Sequence, residues 1–136
     1  MRFDPGMCFA RVRSVFMVQS QKILLVEHEP RERERLRGIL GREYEVTGAA
    51  CSREAAVRLS EGRFDLVLLG SMGEGVDTQV LLTGICSKAP RPKVILIAQD
   101  FTEEILTRAT LLQADGVLKS FDDTEVTASV AAHLGA

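Results

Sequence analysis

Cysteine is scarce and scattered: Cys8, Cys51 and Cys86 are the three in 136 residues, with no C-x-x-C pair among them. An odd, dispersed count gives no disulfide framework. It reads as reduced thiols in a cytoplasmic protein, packed as small hydrophobes. An excess of positive charge is equally absent. Seventeen Lys and Arg stand against nineteen Asp and Glu, for a net charge of −2 and a pI near 5.7. That balance offers no electrostatic basis for direct nucleic-acid contact. No apolar run approaches the ~20 residues of a membrane span, so no membrane contact is expected. Tandem repeats and low-complexity tracts are also missing. What is present is 46% apolar and 26% charged residues, the mixture of a soluble globular chain. The length suits one domain of roughly 100–200 residues, burying about two thirds of its unfolded surface without a disulfide or metal staple.

The first 21 residues differ from the rest. They carry Arg2, Arg11 and Arg13, then the run Val15-Phe16-Met17-Val18. That run is shorter than the roughly 7–15 apolar residues of a secretory signal, and no small-residue cleavage site follows. Residues 1–21 therefore read as a flexible or adventitious extension, with Met17 as an alternative start, and residues 22–136 as the domain.

From Lys22 onward two textures alternate. Ile23-Leu24-Leu25-Val26, Phe64 to Leu69 and Val94-Ile95-Leu96-Ile97 are continuous apolar runs, as expected of strands covered on both faces. Tyr44 to Thr47 is a less apolar strand nearer an edge, and Val117-Leu118 a very short last one. Between them lie helical patterns. One starts at Pro30 and stops at Gly41; the next is capped by Ser52 and carries Ala55, Ala56, Val57 and Leu59. A third has Val80, Leu81, Leu82, Ile85 and Cys86 on its apolar side. The fourth, capped by Thr102 or Asp100, bears Ile105, Leu106, Ala109 and Leu112. The last opens on Asp122 and Glu125, with Val126, Val130 and Leu134 inward. About five strands alternating with about five helices imply an α/β fold with a parallel sheet and right-handed crossovers. At this size the doubly wound, flavodoxin-like order 2-1-3-4-5 is expected.

Such sheets gather ligands beyond the carboxyl ends of their strands, at the switch point between the first and third. The residues there are Glu27-His28-Glu29 and Gly70-Ser71-Met72, with Ala98-Gln99 and Lys119-Ser120 completing the rim. The Gly70-to-Gly75 stretch lacks the Lys and Ser/Thr of a phosphate-cradling P-loop, so it reads as an ordinary loop. The acidic turn after the first strand disfavours a flavin or nucleotide.

Four segments in order, ILLVEHEP, FDLVLLGSMGEGVD, KVILIAQ and QADGVLKSF, resemble the receiver domain of two-component response regulators. The resemblance runs from Lys22 to about Leu134 and implies phosphoryl transfer onto a strand-end Asp beside an acid-held Mg²⁺. It also implies that each site position is altered here. Gly70 stands at the acceptor position, Glu27 and His28 at the acidic pair, and Ala98 at the hydroxyl position. The lysine position falls on Ser120, with Lys119 just before it, and in a strand one residue of shift reverses the side chain. Imidazole is a poor ligand for Mg²⁺, which takes oxygen, so Mg²⁺ binding is expected to be weak or lost and no cofactor is expected.

The reading is a pseudo-receiver, not an enzyme, that binds a signalling or effector protein without phosphorylation. Glu27-His28-Glu29 then reads as a leftover polar rim, with Glu27 and Glu29 as weak candidates for a residual cation. Glu74 and Asp77 are candidate substitute acceptors. The mixed-charge helix from Arg31 to Arg37 reads as a solvated face. Ile105, Leu111, Leu112, Leu118 and Phe121 offer more apolar surface than one core stripe needs, and form the candidate partner face. Pairing of two copies through it is left open. The alternative reading is a receiver switched by a metal, a metabolite or a substitute phosphosite.

Overall fold

The computed structural model describes residues 21–70, 77–98, 100–119 and 122–134. Along the chain run β1 (Lys22–Val26), α1 (Pro30–Leu40), β2 (Glu45–Ala49), α2 (Ser52–Glu61) and β3 (Leu66–Leu69). They are followed by α3 (Thr78–Cys86), β4 (Lys93–Ile97), α4 (Glu103–Leu111), β5 (Gly116–Leu118) and α5 (Asp123–Leu134). The five strands form one sheet in the order β2-β1-β3-β4-β5, and every neighbouring pair is parallel. This is the expected α/β order, with the least apolar strand at an edge.

The apolar runs are strands because helices cover both faces of the sheet. Period-2 alternation sends Leu24, Val26, Val67, Leu69, Val94 and Leu96 to one side, where they pack with Ala55 and Leu59 of α2 and Leu81 and Ile85 of α3. Ile23, Leu25, Leu66, Leu68, Ile95 and Ile97 face the other, against Leu36 and Leu40 of α1 and Val126 and Val130 of α5. Tyr44 ends up in this second cluster as a buried ring ahead of β2. Each fully buried Leu or Ile contributes about 1.5–3 kcal/mol relative to exposure, so the sheet interior dominates stability.

Helix starts follow local chemistry. The Glu29 side chain accepts from Arg31 N with Pro30 in the first turn, Asp77 accepts from Val80 N, and Thr102, rather than Asp100, accepts from Ile105 N. Asp122 accepts from the amides of Thr124 and Glu125 at the head of α5. Ser52 does not cap α2. Cys51 holds that position without a side-chain bond, and Ser52 Oγ instead accepts Asp77 N at 3.1 Å, joining the starts of α2 and α3.

Other expectations are also corrected. Cys51 and Cys86 are exposed, because Cys86 is the last residue of α3 and Cys51 precedes α2; Cys8 lies outside the described residues. Of the expected extension at 1–21 only Gln21 is described, its side-chain amide donating to Leu134 O. The mixed-charge helix is not wholly solvated either. Arg33 and Arg35 are half-buried; Arg35 pairs with Glu32 and reaches Asp123 of α5.

Past the last turn of α4, Gln113 adopts φ 55°. Ala114 N donates to Ala109 O and Gln113 N to Thr110 O, the paired bonds of a left-handed helix stop. Leu112, just before that reversal and still in helical geometry, follows Ile105 and Ala109 on the inward side of α4 and is wholly buried.

Candidate degenerate acceptor site at the strand ends

The carboxyl ends of β1 and β3 meet through backbone. Gly70 N donates to Val26 O at 2.8 Å, and Glu27 N continues the ladder to Ala49 O at 2.9 Å. Residue 27 therefore still has strand geometry, which turns its side chain in rather than out. Glu27 is 0% exposed, so this part of the strand-end rim is buried rather than solvated. Its Oε2 accepts Glu29 N at 3.0 Å, and its carbonyl accepts Arg33 Nη1 at 2.9 Å. These bonds satisfy polar atoms that would otherwise be costly to bury. His28 and Glu29 point the other way and are exposed.

Gly70 is buried beside Glu27. A Cβ placed on it would stand 2.2 Å from Glu27 Oε1 and 3.2 Å from Glu27 Cδ. The space that a side chain at position 70 would enter is filled by the Glu27 carboxyl. Ala98, after β4, is 8% exposed, and its amide donates to Leu118 O at 2.9 Å, so it continues the sheet and presents only a methyl group. Lys119, after β5, is exposed, with its ammonium 5.9 Å from the centre of the Phe101 ring. A cation over an aromatic face at an exposed position is worth about 0.5–1 kcal/mol. Ser120, Gln99, Phe121 and residues 71–76, Glu74 among them, lie outside the described residues.

This set does not fit a Mg²⁺ ion, which needs several converging oxygens. Position 70 offers no side chain, His28 offers nitrogen, and the Glu29 carboxylate is turned to its own helix cap. Among the described residues no group of three or more His, Cys, Asp or Glu side chains is arranged to hold a metal. Asp77, the described substitute acceptor, is committed to the start of α3 through Val80 N.

The expected partner face divides. Leu111 is 54% exposed, but its neighbour Leu112 is core and leaves the set. Ile105 and Leu118 are half-buried against the two core clusters. Phe101 and Leu106, each 48% exposed, were missed. Leu106 had been assigned inward, yet α4 buries none of its residues completely, and one residue of offset from Ile105 rotates Leu106 by about 100° toward solvent. None of the described helices is long and apolar enough to cross a membrane.

The sequence matches no protein-family model and no curated protein. Solved structures do match. A receiver domain from Methanospirillum hungatei superposes with TM-score 0.76 at 21% identity, over 86% of this chain and 95% of that one. The receiver domain of a signal-transduction histidine kinase from Syntrophus aciditrophicus gives 0.72 at 25% identity, over 85% and 91%. The response regulator TrrA from Thermotoga maritima, solved with Mg²⁺ and BeF, gives 0.68 at 29% identity, over 83% and 98%. The chain has the receiver fold.

Proposed function

We propose that this receiver-fold chain is a signalling module that works without phosphorylation and without Mg²⁺, binding a cytoplasmic protein partner rather than catalysing a reaction. The observation that carries this reading is Gly70 at the end of β3, where the fold's phosphoryl acceptor would stand. Ala98, with no hydroxyl to contact a phosphoryl group, supports it, as does the burial of Glu27. A conformational switch needs a ligand that binds its two states differently, and this rim offers no group for the usual one. The partner then reads a constant surface. The exposed side chains of Phe101, Leu106 and Leu111, flanked by half-buried Ile105 and Leu118, supply the apolar part of it.

The test is an amide-resolved NMR titration of the natural chain with Mg²⁺ and then beryllofluoride, the phosphoryl mimic. Unchanged resonances at residues 27, 70 and 98 and along α4 are expected. Saturable shifts that link the rim to α4 would show a working switch and overturn the reading.

A further inference from the structure

We infer that Glu27 and Gly70 form one coupled unit, in which the Glu27 carboxyl is the permanent occupant of the place an acceptor side chain at position 70 would need. The inference rests on reading this rim as a receiver's acceptor site, and it assigns what fills that site.

Bond lengths of about 1.5 and 1.2 Å put an aspartate's own oxygens roughly 2.4 Å from its Cβ. Glu27 Oε1 lies 2.2 Å from the Cβ position of residue 70. The Glu27 carboxyl oxygen thus lies as close to that Cβ position as an aspartate's own oxygens would. The backbone is no obstacle to a side chain at 70, since Gly70 does not adopt the left-handed conformation reserved for glycine. Only Glu27 excludes it. Nor can Glu27 simply swing aside. It is 0% exposed, and its Oε2 bond to Glu29 N helps to hold the turn into α1. Moving it breaks that bond, and an aspartate at 70 would add a second carboxylate at van der Waals distance from the first. The extra methylene at position 27 and the missing side chain at position 70 are therefore one change seen from two strands. A side chain cannot return at position 70 alone without displacing Glu27.

A double-mutant cycle read by thermal unfolding tests this. Gly70→Ala alone should lower Tm by roughly 5 °C, through overpacking against Glu27. In the Glu27→Asp background, where the carboxyl is drawn back by one methylene, the same change should be neutral or raise Tm. In the Glu27→Gln background, which keeps the size and removes the charge, it should cost as much as in the natural chain. If Glu27→Asp does not fold, Glu27→Ala takes its place with the same expectation. Equal losses in the natural and shortened backgrounds would overturn the coupling. The cycle contains no phosphodonor. Additive losses would sink the coupled unit and leave phosphorylation-independence standing, whereas phosphorylation of a chain that shows the coupling would sink only the latter.

Discussion

At the end of β1 a residue bearing a carboxyl group has no exposed surface, whereas around α4 three large apolar side chains, Phe101, Leu106 and Leu111, are about half exposed. The usual partition is inverted in both places. Glu27 tolerates burial because the Glu29 amide donates to its carboxyl and because glycine on the next strand makes room. The α4 side chains are exposed because the helix sits over the sheet margin and sends only Ile105, Ala109 and the following Leu112 toward it. In the reading proposed above, the closed region stands at the acceptor position and the open one supplies the partner face.

The sharpest way to break this contrast uses two adjacent leucines. Leu112→Ala should cost about 2–5 kcal/mol of unfolding free energy, since Leu112 is wholly buried, while Leu111→Ala should stay within about 0.5 kcal/mol. Urea unfolding of both variants checks it. Similar losses would mean that these adjacent positions at the end of α4 are not divided between core and surface as described. If Leu111 belongs to the partner face, its variant should instead lose partner binding at unchanged stability.

A smaller effect comes from the α1–α5 seam, away from both regions. The hydrogen bond from Arg35 holds the Glu32 carboxyl below its ordinary range. A folded-state pKa below the unfolded one contributes stability above the unfolded value and loses it as pH falls through the folded value. Glu32→Gln should therefore lower the unfolding free energy measured in urea near neutrality, by no more than ~1 kcal/mol for a partly exposed pair. The difference should shrink as pH falls below the ordinary carboxylate range and vanish once Glu32 is protonated in the folded chain. A difference that persists in acid would show that the pair acts through packing.

The fold was readable because its strands are covered on both faces, which leaves unbroken apolar runs such as Ile23 to Val26, and because Pro30 and Thr102 mark helix starts by their own chemistry. The strand ends, and so the site positions, followed from that order. The inward turn of Glu27 was not readable. A charged residue at the end of an apolar run ordinarily marks the surface, and only the space above Gly70 shows otherwise. Helical spacing placed Leu112 inward with Ile105 and Ala109, as the structure has it, but counting Leu112 in the partner face as well gave one side chain two roles. Leu106 was misplaced because it is adjacent to Ile105 and so turns about 100° away from the stripe. Cys86 went wrong for a related reason, since the last residue of α3 lies beyond the sheet that would cover it.

The central claim is tested most directly by intact-mass spectrometry of the natural chain after incubation with acetyl phosphate and Mg²⁺, beside a receiver that retains its strand-end aspartate. The account predicts a phosphoryl adduct on the control and none on this chain. One phosphoryl per molecule of this chain would contradict it and would turn the search to Glu74 or another acceptor.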